Sequence, residues 1–148
     1  MPFPAFATSP VATYAEYLNL AYRPDLQMVV LRWLRDASLS ELQVAHHAAL
    51  ELALHHKATF WFVDVRRRLT VNNMHTRWVT DDFLPQAAAL LPADGLRVAY
   101  LMSPNRQRII NSDPDMQPIV ARALHTNQSY RLRVFLDEAS AMAWLLDS

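Results

Sequence analysis

The sequence contains no cysteine, and glycine occurs only once, at Gly95. Without thiols the chain cannot build a thiolate zinc site, an iron–sulfur cluster, a redox pair or a cysteine nucleophile. With one glycine it cannot form the Walker phosphate loop or the dinucleotide fingerprint, because both need several glycines where the backbone approaches phosphate. These two shortages exclude many of the common cofactor-dependent and nucleotide-dependent enzymes.

Net charge is lacking as well, since 14 lysine and arginine residues balance 14 aspartate and glutamate residues. A chain with no excess of cations releases few counterions from a polyanion, so we expect no nucleic-acid partner. The chain also has no apolar run long enough to cross a bilayer, so no stable membrane insertion is expected. These properties leave proteins and small molecules as the expected partners.

The first residues differ from the rest. Residues 1–13 carry three prolines and no cation, which predicts a loosely ordered leader and not a secretory signal, with a cytoplasmic location as the expectation. The remainder, residues 14–148, is expected to form one domain. Apolar residues make up 52% of the chain, which is ample for a core without a metal or a disulfide.

Capping and hydropathy patterns predict the first helix and the strands. Ser38 and Glu41 form a capping box, so a helix is expected from Leu39 to about His56. The segment 59–65 is apolar on both faces until Asp64, which is typical of a central strand covered on each side. Four other strands are predicted at residues 14–22, 26–33, 96–102 and 130–135, the first two joined by a turn at Pro24.

Polar residues and prolines predict the other helices. A short helix capped by Asn72 or Asn73 should run through Thr80, break near Asp81, and be followed by a second short helix capped by Asp82 with Pro85 at its third position. A further helix capped by Asp115, with Pro118 in its first turn, should extend to about His125, and Asp137 should cap the last helix through Leu146.

The resulting order is β-β-α-β-α-β-α-β-α. Alternation of strands and helices demands a mostly parallel sheet with helices on both faces, disturbed only by the first hairpin. The expected fold is therefore a single α/β domain with about five strands in a mixed sheet and about four to five helices.

Core and cap positions resemble a known family. They include Trp33 at the end of the second strand, the apolar strand that ends in Asp64, and Trp78 with Pro85 seven residues on. Further matching features are Ala45, Leu52 and Ala58 along and just after the first helix, the strand end VAYLMSP, and the terminal segment VFLDEASAMAWLL. Over residues 14–146 the chain resembles the SpoIIAA-like proteins of the STAS fold, relatives of anti-sigma-factor antagonists.

The resemblance implies a non-enzymatic, regulatory module. STAS antagonists switch by phosphorylation of a serine directly after an aspartate at the end of the third strand, but here Val65 follows Asp64, so this switch is expected to be missing. The group is also similar to lipid-binding CRAL-TRIO domains, which implies an apolar ligand. No cofactor is implied.

Cationic residues follow the two central strands. Asp64 and Arg66 end one strand, Arg106 follows the next, and Arg77 and Trp78 lie on the short helix between them. Ligands of parallel α/β sheets collect outside the carboxyl ends of the strands, and guanidinium groups bind phosphate and carboxylate well. These five residues are therefore a candidate site for a small anionic or lipid-like ligand; the alternative is a solvated rim of exposed ion pairs.

The first helix carries a second candidate surface. Its core stripe contains Leu42 and Leu52, whereas Leu50 and Leu54 are expected on the opposite flank beside His47. An additional apolar face on a surface helix suggests a homodimer contact or an unidentified protein partner, although single exposed leucines are also common. We expect no metal site, although His47 and His55 share one helix face.

No convincing catalytic group emerges. Ser103, His75 and Asp64 are the residue types of a catalytic triad, but the sequence gives no sign that they lie together, and no glycine-flanked nucleophile is present. The first expectation is therefore a non-enzymatic interaction module, and the alternative is a protein that binds a small ligand at the carboxyl ends of the strands.

Overall fold

The structure is a computed structural model that describes residues 13–92, 95–125 and 129–147. In this part of the chain six strands form one mixed sheet, in which the order of the strands follows the order of the chain. The first three strands pair antiparallel, and the third to sixth pair parallel. The strands are β1 Thr13–Ala15, β2 Leu18–Arg23, β3 Met28–Trp33, β4 Phe60–Asp64, β5 Leu96–Leu101 and β6 Tyr130–Phe135.

The helices follow the strands in alternation. Because each parallel strand is added on the same side of the previous one, right-handed crossovers place the connecting helices on one face of the sheet. The last helix follows β6 and covers the other face, where it contacts β4 and β5. The helices are α1 Leu39–His56, α2 Asn73–Arg77, a π-helical segment Trp78–Phe83, α3 Leu84–Leu90, α4 Pro104–Ser112, α5 Gln117–Ala123 and α6 Glu138–Leu146.

The α/β class and the mixed, mostly parallel sheet with helices on both faces are confirmed. The larger core lies under the connecting helices and includes Trp33, Trp61 and Tyr130, and a smaller core under α6 includes Met28 and Phe62. Alternation along β4 explains this division, because Trp61 faces the connecting helices and Phe62 faces α6. Among the helices of the described residues, none has the length and apolarity that a membrane crossing needs.

Local capping predictions are confirmed where the partners are close in sequence. The Ser38 Oγ accepts from the Glu41 amide at 3.1 Å, and a Glu41 carboxylate oxygen accepts from the Ser38 amide at 3.0 Å. Asn72 and Asp137 cap α2 and α6 in the same way, by accepting from the backbone amides three residues on. These contacts fix where the helices begin.

The predicted break near Asp81 is wrong, because α2, the π segment and α3 form one continuous helix. The wider π register, seen in the bond from the Leu84 amide to the Val79 carbonyl, makes the Thr80 carbonyl the partner of residue 85. Pro85 has no amide to donate, and the buried Tyr130 hydroxyl donates to the Thr80 carbonyl at 2.9 Å instead. A side chain from β6 thus replaces the missing donor and keeps the helix intact.

Three further predictions differ from the structure. The strand expected over residues 14–22 is two strands, and Tyr17 between them is buried against Trp33. Residues 104–112, where no helix is predicted from the sequence, form helix α4. In the helix after it, Met116 rather than Asp115 occupies the N-cap position, without a capping bond from its side chain, and Pro118 does lie in the first turn. The predicted leader lies outside the described residues except for Thr13, which begins β1.

The predicted outward position of Leu50 is also wrong. Leu50 is only 8% exposed and belongs to the larger core, whereas Leu54 is 40% exposed and His47 is exposed. Helix α1 packs on β2 and β3 and is flanked by the aromatic side chains of Trp78 and Phe83, so its buried arc is wider than one stripe. The candidate interface therefore reduces to His47 and Leu54.

Candidate functional site

A cavity of about 70 Å³ lies under the connecting helices, next to the carboxyl ends of β5 and β6. Its polar lining consists of Arg68 and Asn72 from the segment after β4, His75 from α2, Tyr100 from β5 and Arg106 from α4. Several elements that are distant in sequence thus converge on one space. This is the position where parallel α/β sheets place their ligands.

Arg68 reaches the cavity because the chain turns inward directly after β4. The Arg68 amide donates to the Val65 carbonyl at 3.1 Å, which forms this turn. The Arg68 side chain is 8% exposed, and its guanidinium lies 5.4 Å from the centre of the Trp33 ring. One terminal nitrogen lies 3.5 Å from His75 Nδ1, which is at the limit of a hydrogen bond.

Arg106 enters the cavity from the first turn of α4. The Ser103 hydroxyl caps that helix by accepting from the Arg106 amide at 3.1 Å. The Arg106 guanidinium donates from one terminal nitrogen to the Thr70 carbonyl at 2.8 Å and to the Arg68 carbonyl at 3.3 Å. Arg106 therefore holds the segment that presents Arg68, in addition to facing the cavity itself.

The two guanidinium groups have no carboxylate partner in the described ranges. The negative charge of Asp36 raises the pKa of both arginines. Its Oδ1, however, accepts from the amides of Leu69 and Thr70 and not from either guanidinium group. Three buried side-chain nitrogens of the described residues lack any hydrogen-bond partner, and two of them are Arg68 Nε and Arg106 Nε. Buried, unsatisfied donors on charged groups are rare and need an explanation.

The electrostatics of the cavity reflect this concentration of positive charge. Burial and the charge of Arg68 lower the pKa of Arg106 to about 10, and burial lowers the pKa of Arg68. Burial and Arg68 also lower the pKa of His75, while burial raises the pKa of Tyr100 to about 12 despite both arginines. At neutral pH the cavity therefore contains two arginine cations, a neutral imidazole and a protonated phenol.

This arrangement can bind an oxyanion. A carboxylate or phosphate oxygen in the cavity would accept from guanidinium N–H groups of Arg68 and Arg106 and neutralise charge that the protein leaves unpaired. The same anion would remove the repulsion between the guanidinium groups. Without a ligand, two unpaired cations in one cavity lower the stability of the folded protein. Binding sites often have this effect on stability.

The π segment contributes to the wall of the cavity through Val79 and Thr80. Thr80 donates its hydroxyl proton to the Thr76 carbonyl at 3.0 Å, and Thr76 donates its own to the Asn72 carbonyl at 3.1 Å. Neither hydroxyl proton is available to a ligand. Single π turns inside helices often occur at functional sites, and this one adjoins the cavity.

Two of the sequence-derived site residues lie elsewhere. Asp64 and Arg66 face α6, on the opposite side of the sheet from the cavity, where Asp64 accepts from Arg66 at 2.9 Å and from Arg32 at 3.0 Å. Burial opposes ionisation of Asp64, but the hydrogen bonds from Arg66 and Arg32 outweigh it and hold the pKa below its usual value. Arg32 also pairs with Glu138 of α6. Each charged side chain of this network thus has a partner of opposite charge.

Of the other three predicted residues, one lines the cavity and two do not. Arg106 lines the cavity, but Arg77 is exposed on α2. Trp78 is half-buried and packs against Phe83 and His46, with ring centres 5.4 Å and 5.5 Å apart, so it faces α1. Of the five residues proposed from the sequence, the structure brings only Arg106 to the cavity.

Arg68 is the functional residue that the sequence reading missed. The run of three arginines after β4 was the available signal, since one regular backbone cannot aim all three at one place. Arg66 and Arg67 are exposed, whereas the turn closed by Arg68 brings the third arginine inward.

Metal and triad arrangements are not assembled in the part of the chain that the structure describes. No group of three or more His, Asp or Glu side chains there is placed to hold a metal ion. Ser103 caps α4, His75 lies beside Arg68, and Asp64 is bound to arginines on the other face of the sheet. These three residues therefore do not form a catalytic unit.

Comparison of the chain with protein-family models, with curated proteins and with solved structures finds no match in any of the three.

Proposed function

We propose that this protein is a small-molecule binding domain, of the STAS-like type that its sequence resembles, and that it holds an oxyanion between Arg68 and Arg106. The observation that carries the proposal is the pair of buried arginines, 8% and 7% exposed, that line one cavity without a carboxylate partner among the described residues. A buried charge is strongly unfavourable unless it is paired. A bound anion would supply the missing negative charge and would explain why two arginines are buried together.

The geometry favours this function over the interaction module. A protein contact was inferred from an apolar face of α1 that included Leu50, which is buried in the core. Leu54 and His47 remain exposed, but single exposed apolar residues are common on monomers. A homodimer or another protein partner stays a prediction from the sequence, with less support than before.

Thermal unfolding in the presence of different anions tests the proposal. Phosphate, citrate and a series of monocarboxylates are compared with chloride at equal ionic strength. A ligand at about one hundred times its Kd should stabilise the native state by about 2.7 kcal/mol and so raise the Tm by several degrees.

The variant Arg68→Met makes the test specific to the cavity, and Arg67→Met is its matched control because Arg67 is exposed next to it. At least one anion should raise the Tm of the wild-type protein and of Arg67→Met, but not of Arg68→Met. An equal response of all three proteins to every anion would overturn the proposal.

A further inference from the structure

The cavity has an apolar part as well as a charged part. Seven apolar side chains line it: Val79, Met102, Ile110, Val120, Ala123, Leu132 and Val134. On β6, Val134 pairs with Tyr100, and Leu132 lies two residues further from the carboxyl edge of the sheet. Ile110 is one helical turn from Arg106 on the same face of α4. The space thus extends from the arginines along an apolar wall.

The hydroxyl groups beside this wall do not make it polar. Thr76 and Thr80 use their hydroxyl protons within the helix, as described above. A ligand that contacts them meets mainly methyl groups. Water in this part of the cavity would find few partners, so an apolar group should displace it readily.

The charged end is small. Arg68, Arg106 and Tyr100 share a space of about 70 Å³ with the apolar wall. A carboxylate head is smaller than a phosphate monoester head, so it leaves more of this volume to an apolar group. A phosphate monoester also carries up to two charges, which makes its transfer from water into a mostly apolar cavity more costly.

We infer that the ligand is a small amphiphilic carboxylate, with its head between Arg68 and Arg106 and a short hydrocarbon tail along Val134 and Leu132. The inference rests on the proposed function and narrows it to one chemical class. The volume of about 70 Å³ limits the tail to a few carbon atoms.

Calorimetric titration with acetate, butyrate, hexanoate and octanoate tests the inference. Kd should fall about fourfold for each added methylene, which corresponds to about 0.8 kcal/mol, and should stop falling once the cavity is filled. Hexyl phosphate and hexanol carry the same tail with other heads, and both should bind more weakly than hexanoate.

The variant Val134→Thr separates the tail from the head, because it keeps the branched shape of a half-buried strand residue and adds a hydroxyl. It should weaken the binding of hexanoate severalfold, and that of acetate by a smaller factor. Val120→Thr, also half-buried, is a second variant of the same kind, and Val44→Thr on exposed α1 surface is the control.

The outcomes distinguish the two proposals. Equal Kd values along the carboxylate series, or tighter binding of hexyl phosphate, would overturn the inference and leave an anion site. Tighter binding of hexanol than of hexanoate would overturn both proposals, because the site would then prefer an uncharged head. Failure of every anion to bind, or equal binding to Arg68→Met, would overturn the proposed function itself.

Discussion

Replacement of Arg68 by methionine should make the ligand-free protein more stable. Most substitutions of buried residues destabilise a protein, so this prediction opposes the usual direction. It follows from the two buried guanidinium groups, which have no ion-pair partner among the described residues. Methionine keeps an apolar side-chain stem and removes the charge that lies over the Trp33 ring.

The magnitude follows from the neighbouring arginine. Burial and the charge of Arg68 lower the pKa of Arg106 to about 10, and a decrease of this size corresponds to about 3 kcal/mol against the charged form. Since the folded pKa is depressed, this penalty is fully present at every pH below about 10 and is relieved only above it. Arg68 accounts for part of it and adds the cost of its own burial. Loss of the contact with the Trp33 ring opposes the gain by about 0.5 to 2 kcal/mol, which leaves an expected net gain of about 1 kcal/mol.

Urea unfolding at neutral pH, followed by tryptophan fluorescence, measures this difference. Arg68→Met should have a higher free energy of unfolding than the wild type, while Arg67→Met should differ from it by less than about 0.5 kcal/mol. Loss of more than about 1 kcal/mol in Arg68→Met would refute the reasoning, because it would mean that the charge of Arg68 is satisfied in the folded protein.

Three further predictions concern the fold. Leu50→Asp should lower the free energy of unfolding by about 3 kcal/mol or more, because it places a charge in the core. Leu54→Asp should lower it by less than about 0.5 kcal/mol. Equal effects in urea unfolding would contradict the assigned helix faces. Burial holds the pKa of His46 at about 4, so stability present above about pH 6.5 is lost on acidification, by about 2 kcal/mol between pH 7 and pH 4.5. His46→Gln should remove most of this pH dependence and His47→Gln should keep it, and identical profiles would argue against a buried neutral His46. Tyr130→Phe should lower the free energy of unfolding by about 1 to 3 kcal/mol, because it leaves a carbonyl of the π segment unpaired, and an unchanged urea midpoint would exclude that role.

The parts of the fold that depend on neighbouring residues could be predicted from the sequence. The Ser38–Glu41 capping box and the caps at Asn72 and Asp137 involve groups three residues apart, so the pattern contains both partners. The break near Asp81 could not be judged in this way. The donor that compensates for Pro85 is Tyr130, about fifty residues away, and no local pattern contains it.

The candidate site could likewise be predicted only where neighbouring residues determine it. The sequence indicated that cations would collect at the carboxyl ends of the central strands, and Arg106 does lie there. Which of the arginines after β4 faces inward depends on one turn, and which side of the sheet Asp64 faces depends on the register of the whole strand. A strand residue shifted by one position points to the opposite face, so small uncertainties in strand bounds decide such assignments.

Nuclear magnetic resonance of the arginine Nε–H groups tests the central claim most directly. The spectra of ¹⁵N-labelled protein would be recorded with and without hexanoate, and Arg68→Met and Arg106→Met would assign the two signals. On addition of hexanoate, the Nε–H signals of Arg68 and Arg106 should move as an anion binds to their guanidinium groups, while that of Arg66, already bonded to Asp64, should stay in place. Saturating carboxylate that leaves the Arg68 and Arg106 signals unmoved would contradict the claim that these two side chains form an anion site.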